Sequence, residues 1–342
     1  MKEFYVQWHI TDRCNLRCID CYQDNYTAQG ELSFPELSRV VENFSETMAK
    51  WNSKLKVSLT GGEPLLKKET WDLLSVFEHA DFVSETGIIT NGTVVGDYTS
   101  EIKQYDKLKD IYISLDGSTP AVNDKIRGDG TYKRTISNLQ KLIEEEIPVT
   151  IMFTLMKENL NDTPSMIELA RTLNVNGLII ERFIPLGSGK KIKDSVINGE
   201  ELSDLYGAIC NKIGIEYEPA QMAKYRAVQI EFSKDGSTPL LYGAECVVAQ
   251  DGMALLPDAT ILPCRRFNLP VGNMLREKLH QVFETSEVLC KIRERQNIAG
   301  RCGTCKMNGC RGCRAMVYAL TGDYLAQDPH CWIDKAGLRV KG

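Results

Sequence analysis

Thr11-Asp12-Arg13-Cys14-Asn15-Leu16-Arg17-Cys18-Ile19-Asp20-Cys21-Tyr22 closes a β-branched and aromatic run that occupies residues 4–11. Three thiols in a C-x3-C-x2-C spacing on a strand-end loop can wrap three corners of an iron-sulfur cube and leave its fourth iron free for another ligand. A zinc ion completed by a distant residue, or three buried structural cysteines, are the readings the spacing alone leaves open.

The strand before this loop is the first of six candidates, at residues 4–11, 56–60, 87–90, 110–115, 149–156 and 177–184, separated by amphipathic stretches. Between the first two, Leu37, Val40, Val41, Phe44, Met48 and Trp51 recur at helical spacing, and Ser33 with Glu36 reads as a capping box. Six βα units with no Gly-x-Gly-x-x-Gly turn after the first strand predict an α/β fold of partial (β/α)6 TIM-barrel type, whose chemistry belongs at the C-terminal strand ends. Loop composition at 186–189 and 233–237 divides the chain into a barrel over 1–199, a bridging region over 200–240 and a small cysteine-rich domain over 241–342. That last part lacks periodicity, as expected of a segment folded around metal rather than around a core.

Composition narrows the function. The 342 residues are 43% apolar and 25% charged, which excludes a disordered or fibrous chain. Lys and Arg number 41 against 46 Asp and Glu, a net charge of −5 that offers no broad footprint for nucleic acid or an anionic membrane. The amino terminus is too short and polar for a secretory segment, and no run approaches the ~18 apolar residues of a membrane span. A cytoplasmic protein is expected. Its 12 cysteines then read as metal ligands or catalytic groups, and with only 4 His a multi-metal site must be built on sulfur.

After the later strands come Gly61-Gly62-Glu63-Pro64, Thr90-Asn91-Gly92, Ser114-Leu115-Asp116-Gly117 and Asn123-Asp124-Lys125-Ile126-Arg127-Gly128. With the cysteine triad, these make the chain resemble the radical S-adenosylmethionine (AdoMet) superfamily. The resemblance implies that Cys14, Cys18 and Cys21 hold a [4Fe-4S] cluster chelated by AdoMet. Gly61, Gly62 and Glu63 would receive the methionine ammonium, Asn91, Ser114 and Asp116 would line the pocket and contact ribose or methionine, and Arg127 would pair with the carboxylate. One departure is Asp20, where the family commonly has an aromatic residue to touch adenine.

A second constellation follows at Cys246, Cys264, Cys302, Cys305, Cys310, Cys313 and Cys331. Four of these, spaced C-x2-C-x4-C-x2-C, would suit one tetrahedral zinc. As seven ligands, the set resembles the SPASM extension of radical AdoMet enzymes, with two auxiliary [4Fe-4S] clusters. That resemblance assigns Cys302, Cys305, Cys310 and Cys331 to a distal cluster, and Cys246, Cys264 and Cys313 to a nearer one. Its fourth ligand stays open between Cys290, Asp251 and an iron left free for substrate, while Cys210 reads as a buried thiol. The central spacings are shorter than usual for the family, and Ala259 stands where a Gly is usual. Seven Lys and Arg between Lys291 and Arg314, against Glu294 alone, suggest either a cationic setting for a cluster or a basic face.

The activity implied is reductive cleavage of AdoMet to a 5'-deoxyadenosyl radical that takes hydrogen from a substrate. Cys21-Tyr22-Gln23 favours an oxidoreductase of the peptide-maturase kind, forming a crosslink, thioether or epimer in a ribosomally made peptide (RiPP). The alternative is a tetrapyrrole-modifying enzyme of haem synthesis, and, from other classes, a non-catalytic iron-sulfur electron carrier or a zinc-organised scaffold. Expected partners are an electron donor such as flavodoxin or ferredoxin and a separate leader-binding protein.

Overall fold

The computed structural model describes residues 2–233 and 237–333. Its first half repeats strand and helix. The strands are β1 (Lys2–His9), β2 (Ser53–Thr60), β3 (Val83–Thr90), β4 (Leu108–Ser114), β5 (Val149–Leu155) and β6 (Gly177–Arg182). The helices are α1 (Phe34–Trp51), α2 (Glu69–His79), α3 (Thr99–Ile102), α4 (Pro120–Arg127), α5 (Thr131–Glu144) and α6 (Thr163–Thr172). Each strand pairs in parallel with the next, so the expected partial barrel is present. β2 and β3 start earlier than apolar periodicity predicts, at Ser53 and Val83, because a backbone ladder also accepts polar residues such as Lys54 and Glu85.

Alternation along β1 explains how the barrel is filled. Phe4, Val6 and Trp8 point outward and are buried under the helices. The Trp8 ring packs edge-on to Phe44 of α1 at 5.8 Å and lies 6.4 Å from Phe77 of α2. The intervening Tyr5 and Gln7 face inward and line the barrel cavity. The interior is therefore an open chamber with mixed polar and apolar walls, and the close-packed apolar core is the layer between sheet and helices. The predicted capping box forms at the start of α1, where the Ser33 N–H donates to Glu36 at 2.9 Å.

After α7 (Gly199–Ile213), the chain adds β7 (Ala227–Glu231) and β8 (Leu240–Ala244), both antiparallel, to the β6 edge. It then crosses to the other side. There β9 (Gly252–Leu255) pairs in parallel with β1, followed by antiparallel β10 (Thr260–Leu262) and β11 (Gly272–Asn273). One eleven-stranded sheet results, in the order β11-β10-β9-β1-β2-β3-β4-β5-β6-β7-β8. The boundary expected near residue 240 coincides with the start of β8, and the sheet runs through it.

The expectation of a coreless segment beyond that point is corrected. Met253, Leu255, Ile261, Met274 and Leu279 belong to the same buried cluster as the barrel. Strands of two to four residues are too short to show a period in the sequence, although β9 is buried throughout and β10 is buried at Ile261 and Leu262. No helix among the described residues is long and apolar enough to cross a membrane.

Candidate active site and cysteine-lined cavities

The triad loop leaves β1 and is held against the loop that leaves β2. Gly62 N donates to Thr11 O at 2.7 Å and Glu63 N to Arg13 O at 2.8 Å. A Cβ on Gly62 would lie 2.5 Å from Arg13 O and 2.7 Å from the Cys14 Cβ, and one on Gly61 would collide with Thr11 O. The close approach that this glycine pair permits is thus to the triad loop itself. Glu31 ties the two loops together, accepting from Lys67 Nζ at 2.8 Å, from Arg13 and from the Thr11 hydroxyl. Lys67 and Glu31 are almost wholly buried, so their ion pair is little screened by water.

Cys14, Cys18 and Cys21 line one cavity of about 130 Å³ together with Gly61, Gly62, Asn91, Ser114 and Arg127. Five of the seven cofactor-binding candidates therefore meet the triad at a single chamber, on the C-terminal ends of β2 to β4 and on α4. All three thiols are free. Burial pushes each of them up. N–H groups already face Cys14 Sγ, Leu16 N at 3.4 Å and Asn91 Nδ2 at 3.9 Å. This setting fits thiolates bound to iron, with amide donors offsetting charge on sulfur.

The other two candidates lie directly behind the cavity wall. Glu63 is fully buried and accepts from Asn91 N at 2.8 Å, Thr90 Oγ1 at 2.8 Å and Leu65 N at 3.2 Å. Burial lifts its carboxyl to about 7 against the pull of those donors. Asp116 is likewise fully buried; it accepts from Arg127 Nε at 2.6 Å and from Thr154 N at 2.7 Å. That pairing anchors Arg127 by one edge, and Arg127 itself lines the chamber. Asp20 sits beside this pair, pushed up to about 7 by burial and by the Asp116 charge.

Sequence reasoning missed Thr154, Glu181, Arg182 and Arg266 in the chamber wall. The rule that places chemistry at C-terminal strand ends points to Glu181 and Arg182, the last residues of β6. Arg266 follows Cys264 and pairs with Glu181 at 2.8 Å.

The carboxy-terminal cysteines fall into two places. Cys246, Cys264 and Cys313 line a cavity of about 280 Å³ that shares Gln7, Tyr22, Ile89, Met152, Glu181, Ile184 and Arg266 with the triad chamber. Cys302, Cys305, Cys310 and Cys331 line a separate small cavity with Arg226 and Asp328. These are the groups of four and three that the SPASM resemblance assigns to a distal and a nearer cluster. Of the candidate fourth ligands, Cys290 donates to Glu284 O, and Asp251 lines a different cavity with Phe4, Trp51 and Phe283. Cys210 is buried within α7. Among the described residues, no three His, Cys, Asp or Glu side chains converge on the point of a single ion.

The basic stretch is mostly internal stapling. Arg295 donates to the carbonyls of Cys305, Met307 and Cys310, and Arg311 to that of Arg293. The loops after the two clefts are also joined. Arg265 lies over the Tyr22 ring at 4.1 Å and donates from Nε to His9 Nδ1 at 2.8 Å, while His9 Nε2 donates to Asp12 at 2.8 Å. Burial and the Arg265 charge bring His9 down to about 4, so the imidazole is neutral.

Residues 8–170 match the Radical SAM superfamily. Over 345 aligned residues the chain is 26% identical to the AdoMet-dependent heme synthase of Methanosarcina barkeri (strain Fusaro), covering 95% of each chain. Among solved structures it superposes on Streptococcus suis SuiB bound to precursor peptide SuiA with a TM-score of 0.71, at 18% identity, over 97% of this chain and 76% of that one. It superposes equally on native anSMEcpe with bound AdoMet, at TM-score 0.70 and 14% identity, over 96% and 94%.

Proposed function

From the radical SAM domain of residues 8–170, we propose that this enzyme abstracts a hydrogen atom from a substrate held between the triad and the Cys246, Cys264 and Cys313 cleft. The cluster on Cys14, Cys18 and Cys21, with AdoMet bound, supplies the 5'-deoxyadenosyl radical. Arg127, fixed at Nε by Asp116, has its other nitrogens for the AdoMet carboxylate. Asn91 and Ser114 hold the nucleotide side of the chamber. Glu181 and Arg266, paired across the shared wall, orient the substrate and keep water from the reacting carbon. One observation carries the reading: triad, cofactor candidates and second cysteine cleft share one continuous wall. All twelve cysteines are free, and we place the protein in the reducing cytoplasm.

We take the substrate to be a tetrapyrrole, because the likeness to a heme synthase runs the length of both chains. Peptide maturation is the second reading. It is favoured by Tyr22 after the third triad cysteine, a position locked in place by its hydroxyl on Gly61 O and by Arg265 over its ring. Anaerobic incubation with AdoMet and dithionite should yield 5'-deoxyadenosine, and replacing Cys14, Cys18 and Cys21 together by Ala should abolish it. Continued cleavage by that variant would remove the proposal. Adding a porphyrin in one arm and a precursor peptide encoded beside the gene in another decides the substrate by which one changes mass.

A further inference from the structure

Two buried guanidiniums with unpartnered N–H groups stand at the small cavity lined by Cys302, Cys305, Cys310 and Cys331: Arg226 lines it, and Arg314 Nη2 lies against Gly312 in its wall. Arg314 is fully buried; its Nη1 donates to Tyr324 O and Ala326 O, while Nε and Nη2 have no partner. Arg226, which comes from the start of β7 and not from the cysteine-rich segment, places Nη2 at 3.2 Å from Cys310 Sγ and leaves Nε without a partner. Its nearest anion is Asp328, at 3.7 Å. Arg182 is buried on the same side, and its charge acts on Asp328 as that of Arg226 does. Asp328 is otherwise engaged, accepting from Cys313 N at 2.6 Å and from His330 N at 2.9 Å.

A guanidinium stays charged at any physiological pH, and a buried one without a full set of partners is costly to retain. Arg226 and Arg314, both beside Asp328 as the one carboxylate among the described residues at this cavity, leave an excess of positive charge. A four-iron cluster on four thiolates brings roughly two negative charges, and its sulfurs accept N–H bonds. We propose that Arg226 and Arg314 are positioning residues for the distal cluster: their unpartnered N–H groups face its sulfurs, and their charge stabilises its one-electron-reduced form. Arg226 also lines the Cys246 and Cys313 cleft, so the same cation acts on the nearer cluster and favours electron entry there too. This inference rests on the seven cysteines holding clusters, but not on the identity of the substrate or on AdoMet cleavage.

The test removes the triad cluster by replacing Cys14, Cys18 and Cys21 with Ala, leaving only the auxiliary clusters to be read. Dithionite titration followed by electron paramagnetic resonance then gives their midpoint potentials. In that background Arg226→Gln and Arg314→Gln should each disfavour reduction of the distal cluster at least tenfold, which is 59 mV downward for one electron. Arg226→Lys should restore most of the shift with iron and sulfide unchanged. If Gln removes iron and Lys keeps it at wild-type potentials, the need for the cation is shown equally. Unshifted potentials with full iron overturn the proposal, and so does equal loss of iron from Lys and Gln, which makes the residue a packing element. A parent protein without auxiliary iron overturns the cluster assignment as well, and is distinguished by its iron content alone.

Discussion

At the scale of single residues, the site is defined by what stands behind the cavity wall as much as by what lines it. Asp116 touches Arg127 and a backbone amide, so in the proposed site it acts on AdoMet only through the guanidinium it holds. Asp116→Asn should lower stability by about 3–5 kcal/mol, the usual cost of leaving one buried partner of an ion pair alone. It should also weaken AdoMet binding measured calorimetrically, while iron at the triad is retained. Gly62→Ala acts differently, because its methyl meets the carbonyl of Arg13 and the β-carbon of Cys14. Iron analysis should show about one cluster fewer per chain, with the carboxy-terminal complement intact. The triad and the Gly-Gly-Glu turn were legible because each is a short local pattern. Glu181 and Arg182 were reachable only through the strand-end rule, and Arg266 was not legible at all, since it is a single charged residue that meets Glu181 from far along the chain.

Elements show why some boundaries were readable. β1 alternates an outward apolar face with an inward polar one, and α1 begins at a capping box, so both announce themselves in a few residues. Trp8→Ala would empty the space between Phe44 and Phe77, and denaturant unfolding should show a loss of about 3–5 kcal/mol. β4 carries a pH dependence of its own. Asp110 at its start accepts from Thr150 Oγ1 at 2.8 Å, and burial lifts its carboxyl from 3.8 to about 7. The folded protein therefore keeps a proton that the unfolded chain has released between those values. Stability should fall as pH rises through that window and level off above it. Asp110→Asn should flatten this part of a plot of melting temperature against pH, and a slope unchanged from the parent would assign the effect to another group.

For the whole molecule, the sheet's order matters more than its strand count. β9 lies beside β1 although some 240 residues separate them in the chain. A pairing so distant leaves no trace in local periodicity, which is why the last hundred residues read as a metal-organised appendage. A chain ending at residue 240 would expose the β1 edge and the apolar faces that Met253 and Leu255 cover. We expect it to elute as aggregates in size-exclusion chromatography; a monomer that still binds AdoMet would show that the barrel needs no such cover.

Arg265 stacked on Tyr22, with His9 and Asp12 continuing the chain of contacts, means that the loops after Cys21 and Cys264 cannot settle independently. Whichever centre is assembled first during maturation pre-shapes the other. On the proposed cluster assignment, iron uptake should therefore be cooperative, and iron analysis during reconstitution should find few half-filled chains.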